Sequence, residues 1–243
     1  MRYYEGYYRL KKVVAGRMVE ISILPIPIKK AHRSGRRSVR DKEKQRSNAR
    51  AAIKKLAYLL MVNFTECDET LALTYSDLAV LTKNMPDELT ADQQAEYVYR
   101  AAEKQLRLFF DRLRRACKKA GVSLRYIAAT ADMDGKTEEP KRIHHHVVIN
   151  AEAQPYVERA WRNGLVKQDR LYNCEDGFPL AAYLLKQVRH RWNAKKYVTS
   201  RGLMKPQEIC TIASSAELPE LPAGAMEYER TDNSVMYLMP KRK

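Results

Sequence analysis

The chain is short of several things, and each shortage removes a class of protein. Its 243 residues contain no apolar run near the roughly 18 residues that a spanning helix needs. The opening Met1-Arg2-Tyr3-Tyr4-Glu5-Gly6 lacks the apolar stretch of a secretory signal, so a cytosolic protein is expected. The four cysteines, Cys67, Cys117, Cys174 and Cys210, are far apart and form no C-x-x-C pair, which argues against a disulfide framework and a zinc knuckle. No G-x-x-x-x-G-K-[ST] loop is present, so the chain carries no helicase motor of that kind. Acidic residues are few as well: 29 Asp and Glu face 45 Lys and Arg, a net charge of +16. With 45% hydrophobic residues the chain can still bury a core, and a surplus of positive charge points to a polyanion, with nucleic acid ahead of an anionic membrane.

The charge is concentrated. From Lys29 to Lys55 twelve cations stand against Asp41 and Glu43, which is +10 of the total +16. This stretch follows Pro25-Ile26-Pro27 and carries almost no large apolar residue before Ile53. It reads as an exposed arm that contacts phosphate without reading sequence, with Arg33, Arg36, Arg37, Arg40, Arg46 and Arg50 as its DNA-binding candidates.

Around the arm, periodicity divides the chain. Residues 1–28 form an N-terminal extension whose alternation, broken at Gly16, predicts a β-hairpin. Residues 29–62 hold the arm and a helix from about Ser47, with Ile53, Leu56 and Leu60 on one stripe. Residues 63–212 form the main domain. It begins with a strand over Thr70–Tyr75, and a long helix over about 91–120 follows, opened by a Thr90/Gln93 capping box and closed by Gly121. Strands over about 124–131 and 143–150 come next, then short helices over 155–162 and from Pro179 to about His190. The extension 213–243 holds Val235-Met236-Tyr237-Leu238-Met239, a candidate final strand of the sheet. The expected class is α+β: one antiparallel sheet with helices packed on one face.

The sharpest feature is Arg142-Ile143-His144-His145-His146-Val147-Val148-Ile149-Asn150. On a strand alternate residues share a face, so His145 joins Ile143, Val147 and Ile149 on the core side while His144 and His146 rise together from the other. Two imidazoles so spaced can share one divalent ion, and nitrogen plus oxygen donors acting on a phosphate suit Mg²⁺ or Mn²⁺. Asp132, Asp134, Glu138 and Glu139 precede this strand as carboxylates for a third ligand; Asp132, at the end of the neighbouring strand, is the best placed.

A phosphodiester can also be attacked by a protein nucleophile, and tyrosine oxygen is one option. Among 15 tyrosines, Tyr183 stands out through its helix: Leu180, Leu184 and Val188 form one stripe, and Tyr183, Lys186, Gln187 and His190 lie opposite. Y-x-x-K spacing alone is weak, since Tyr8 and Lys11 repeat it.

Taken in order, these stretches resemble the HUH endonucleases, in particular the rolling-circle replication initiators of Gram-positive plasmids, phages and integrative elements. Asn63-Phe64 with Leu71-Ala72-Leu73-Thr74-Tyr75 resembles the first motif strand, Arg142–Val148 the histidine strand, and Ala182-Tyr183-Leu184-Leu185-Lys186 the tyrosine helix. Tyr197–Leu203 with Pro206 is similar to the segment that follows it. The resemblance implies an RRM-like, ferredoxin-like sheet, with His144 and His146 as metal ligands, Tyr183 as nucleophile and Lys186 as a helper positioning the phosphate. It also implies single-stranded or hairpin origin DNA as substrate, a 5′-phosphotyrosine intermediate, and a free 3′-hydroxyl for the host polymerase, with a host helicase supplying the unwinding. The chain departs from that pattern in carrying His145 at a position that is usually hydrophobic, and Thr130-Ala131-Asp132 where many relatives have a glutamate. A conjugative relaxase or single-strand transposase would use the same chemistry, and a non-catalytic nucleic-acid-binding module would leave the histidines idle.

Overall fold

A computed structural model describes residues 3–28, 42–137, 139–172, 174–189 and 195–241. The chain runs β1 (Tyr3–Ala15), β2 (Met18–Pro27), α1 (Lys42–Asn63), β3 (Glu69–Thr74), α2 (Ala79–Thr82), α3 (Ala91–Lys119), β4 (Tyr126–Met133) and β5 (Pro140–Ile149). After a 3₁₀ turn at Ala151–Tyr156 come α4 (Val157–Ala160), β6 (Val166–Arg170), α5 (Phe178–Lys186), β7 (Val198–Thr199), β8 (Gln207–Ala213), β9 (Met226–Thr231) and β10 (Ser234–Leu238). The class is α+β, as expected, with two antiparallel five-stranded sheets where the sequence pattern led us to expect one. Among the described residues no helix is long and apolar enough to cross a membrane.

One compact unit comprises residues 1–62, 175–177 and 204–243. Its sheet has the order β8-β1-β2-β10-β9. The predicted hairpin is its centre: Val14 faces Val19 across the turn, where Gly16 takes a φ of 58°, a left-handed value that favours glycine. The strand expected at the C-terminus forms as β10 and adds to β2, with Val235 opposite Ile21 and Tyr237 opposite Val19, and those four side chains make a small core. The other face of β2 presents Glu20, which accepts a hydrogen bond from the Tyr58 hydroxyl (2.7 Å) and an ion pair from Lys54, both on α1.

The second unit, residues 63–174 and 178–203, contains the histidine strand. Its sheet has the order β6-β3-β5-β4-β7, so β5 is central and is paired along most of its length on both sides. Helix α3 begins with the predicted capping box: Thr90 N donates to Gln93 Oε1 at 2.9 Å, and Gln93 N donates to the Thr90 hydroxyl. Its buried stripe of Tyr99, Ala102, Leu106, Phe109, Phe110, Leu113 and Cys117 covers Leu71, Leu73, Ala128, Val147 and Ile149 on one sheet face. Tyr99 is the first fully buried member of the stripe, and its neighbour Val98 packs partly buried against it.

Two helices are shorter than periodicity predicts. The segment expected to be helical over 155–162 is a 3₁₀ turn through Pro155 followed by the four-residue α4. The helix expected to reach His190 stops at Lys186, because the next carbonyl, that of Gln187, accepts hydrogen bonds from Asp132 N (3.2 Å) and Met133 N (3.1 Å). Those two bonds fasten the end of α5 to the end of β4. His190 lies outside the described residues.

Candidate active site on the histidine strand

Strand alternation sorts the three histidines as predicted. His145 is fully buried on the α3 side. Its Nε2 is 2.7 Å from the Tyr75 hydroxyl, its Nδ1 is 3.0 Å from the Thr130 hydroxyl, and its ring meets the edge of Trp161. Burial, with His144 and His146 adding to it, pushes its pKa down to about 3, so it is a neutral hydrogen-bonding hub of the core. That accounts for a polar ring at a position the related pattern fills with an apolar one: its two nitrogens satisfy two buried hydroxyls.

His144 and His146 emerge on the opposite face. In register, His146 is flanked by Ala72 and Ala129, and His144 by Thr74 and Ala131, so small side chains leave space around both rings. His144 Nδ1 lies 2.9 Å from the Arg142 carbonyl. A carbonyl only accepts, so Nδ1 carries the proton and the lone pair of the neutral ring sits on Nε2. That Nε2 is 3.0 Å from Nε2 of His146. The pKa of His146 is pushed down to about 4 by burial first and by His144 next, against the opposing effect of Gln187 Oε1 as a hydrogen-bond acceptor, so its ring is uncharged at neutral pH.

Gln187, beyond the end of α5, supplies a third polar atom. Its Nε2 donates to the Tyr183 carbonyl at 3.2 Å, and this turns Oε1 toward His146 Nε2, 3.4 Å away. Gln187 is buried, and a β-carbon on Gly135 would stand 3.2 Å from its Cγ, so the loop after β4 hems it in. The spacing of four from Tyr183 put Gln187 on the right helix face; its role became visible only where the helix end meets β4.

The donor set fits a divalent ion. Two ligands each about 2.1 Å from one ion at a right angle lie about 3.0 Å apart, the separation of the two imidazole nitrogens. The expected carboxylate ligand is elsewhere engaged: Asp132 is buried and pairs with Arg189, whose Nε is 2.8 Å away. Among the described residues no three His, Cys, Asp or Glu side chains gather where a metal could be held; the polar side chain beside His146 is the Gln187 amide. Asp134 accepts from the Lys136 and Thr137 amides and from Lys141, which together hold its carboxyl down at about 2 and tie it into its own loop. Glu138 lies outside the described residues.

Helix α5 brings Tyr183 to this face, with its ring centroid 4.9 Å from that of His146 at an edge-on angle. The tyrosine is 54% exposed, open to a ligand arriving over the sheet. Lys186, one turn on, is exposed as well. Of the basic arm, Arg33, Arg36, Arg37 and Arg40 lie outside the described residues, as does the side chain of Arg46, while Arg50 is exposed on α1.

The family model for the Replication-associated protein ORF2 family matches residues 69–191, from the first residue of β3 to just past α5. No curated protein and no solved structure matches the chain. The matched half contains His144, His146, Tyr183 and Gln187 together, and on it the chain belongs to the Replication-associated protein ORF2 family.

Proposed function

We propose that this replication-associated protein is an initiator that nicks and rejoins one strand of origin DNA through Tyr183. The observation that carries the reading is the exposed Tyr183 ring set against His146, itself 3.0 Å from His144 through the two Nε2 atoms. A surface tyrosine and two histidines turned away from the core have no packing reason to share one open face; a nucleophile and a phosphate-activating centre do.

His144, His146 and Gln187 Oε1 would hold Mg²⁺ or Mn²⁺, which when bound supplies Lewis-acid polarisation of the scissile phosphate. The protein side chains do the rest. The Tyr183 oxygen attacks phosphorus in line; the new P–O bond forms as the bond to the 3′ oxygen breaks, the phenolic proton passes to solvent, and the departing 3′ oxygen takes a proton from solvent. The products are a 5′-phosphotyrosine and a free 3′-hydroxyl, the primer that a host polymerase extends after a host helicase opens the duplex. Lys186 places a cation one helical turn from the attacking oxygen, where it holds a non-bridging phosphate oxygen. Reversal by a 3′-hydroxyl rejoins the strand.

Rejoining offers a direct test. A labelled oligonucleotide carrying the origin is incubated with Mn²⁺ and an unlabelled acceptor strand ending in a 3′-hydroxyl. The expected product is a labelled hybrid strand formed by the wild type and lost in Tyr183→Phe. Hydrolytic fragments without any hybrid would reject a covalent intermediate.

A further inference from the structure

Away from the histidine face, the second unit has a groove of about 870 Å³ between the C-terminal half of α3 and the segment running from the 3₁₀ turn through α4. Both walls pack on the Leu71 and Val147 face of the sheet, so the groove lies on the side opposite His144 and His146. Five cations line it, Arg112, Arg115 and Lys119 from α3 and Arg159 and Arg162 from the other wall, with Tyr156 among them and no acidic residue.

The charges in this groove differ from those elsewhere on the same helix. Arg100 pairs with Glu96, and Arg114 with Asp111. None of the five groove cations forms an ion pair among the described residues. Arg112 is the telling one. Its Nε donates to the Ala160 carbonyl at 2.8 Å, but its Nη2 is buried and has no hydrogen-bond partner. Its pKa is lowered by burial first and then by Arg162 and Arg115, with Asp111 opposing, so the fold sets two like charges beside a guanidinium that has one nitrogen unused. Such an arrangement is unfavourable in the free protein and is relieved by an anion that accepts from the fork while neutralising its neighbours.

We infer that this groove is a second DNA-binding site, which grips the phosphodiester backbone on the helix layer while the opposite face holds the strand to be cut. Five cations with no acidic residue in the lining fit a polyanion better than a lone phosphate, and contacts to phosphate carry no sequence information. The inference rests on the reading of the chain as a DNA-processing replication protein, but it is tested without cleavage.

The test measures binding of fluorescein-labelled random-sequence duplex and single strand against salt, in a Tyr183→Phe background without divalent metal. Arg159 and Arg162 are exposed, so Arg159→Gln/Arg162→Gln removes two groove cations without touching the core. Arg107→Gln/Arg114→Gln removes the same charge from the other flank of α3. Thermal melts check that both variants remain folded. With about 0.9 counterions released per duplex phosphate and about 0.7 per single-strand phosphate, the groove variant should lower the log–log salt slope by about 1.8 on duplex or about 1.4 on single strand. Loss confined to duplex assigns the groove to an origin flank, and loss confined to single strand assigns it to an extension of the nicked strand; both support the site. An unchanged slope, or an equal fall in the α3 control, overturns it. Either result leaves Tyr183 chemistry untouched, and a failure of nicking leaves these slopes untouched.

Discussion

The Tyr75 hydroxyl lies 2.7 Å from Nε2 of His145, and both groups are buried in the core of the sheet. The middle histidine of the triplet therefore belongs to a different system from the two that flank it. It joins the end of β3 to β5 through Tyr75 and β5 to β4 through Thr130, on the face opposite the one to which strand alternation turns His144 and His146.

Removing that hub leaves two buried hydroxyls without their partner. At about 1–3 kcal/mol for each group left unsatisfied, His145→Leu should destabilise the fold by about 3 kcal/mol, read from urea midpoints at pH 7. A loss below about 1 kcal/mol would mean the hydroxyls find other partners.

The same burial sets an acid limit. His145 and His146 are held near 3 and 4 in the fold against an ordinary value of 6.5. The unfolded chain therefore takes up protons first as pH falls, so the stability these rings contribute is full above about pH 6.5 and declines toward pH 4, at up to about 1.4 kcal/mol per pH unit for each ring. Urea midpoints between pH 7 and pH 4 should trace that decline. His145→Gln should start lower at pH 7 and show a shallower slope below pH 6.5.

Gln187 gives a prediction specific to the third donor. Mn²⁺ titration followed by electron paramagnetic resonance should show affinity about tenfold weaker in Gln187→Ala and stronger in Gln187→Glu, where a carboxylate replaces the amide. Equal affinity in all three proteins would remove Gln187 from the site.

Gly164 tests the frame under β3. A β-carbon there would overlap the Thr74 carbonyl oxygen and stand 2.5 Å from Ser76 N, both backbone atoms that cannot step aside. Gly164→Ala should therefore cost about 3 kcal/mol, visible as a lowered melting temperature, whereas Gly121→Ala meets open space and tests only its left-handed φ of 71°.

What could be read from sequence follows from which forces leave a pattern. Helix α3 was legible because its cap and its buried stripe are local, and β5 because a central strand buries its alternate residues. The edge strands were not. β8 and β9 are exposed along almost all of their length, and β6 carries Lys167, Asp169 and Arg170, so backbone pairing rather than apolar alternation forms them. The second sheet stayed hidden for that reason. At the candidate site, strand alternation put His144 and His146 on one face, and helix spacing put Tyr183 opposite the Leu180 and Leu184 stripe. The pairing of Asp132 with Arg189 spans 57 positions and leaves no local pattern, and the place of Gln187 depends on the hydrogen bonds that join the end of α5 to β4.

The central claim is that Tyr183 becomes covalently joined to DNA. Wild-type protein and Tyr183→Phe are incubated with Mn²⁺ and labelled single-stranded origin DNA, resolved under denaturing conditions, and any adduct is digested and mapped by mass spectrometry. The account predicts a labelled protein band in the wild type alone, with the nucleotide on the peptide containing Tyr183. No adduct, or one that persists in Tyr183→Phe, would contradict it.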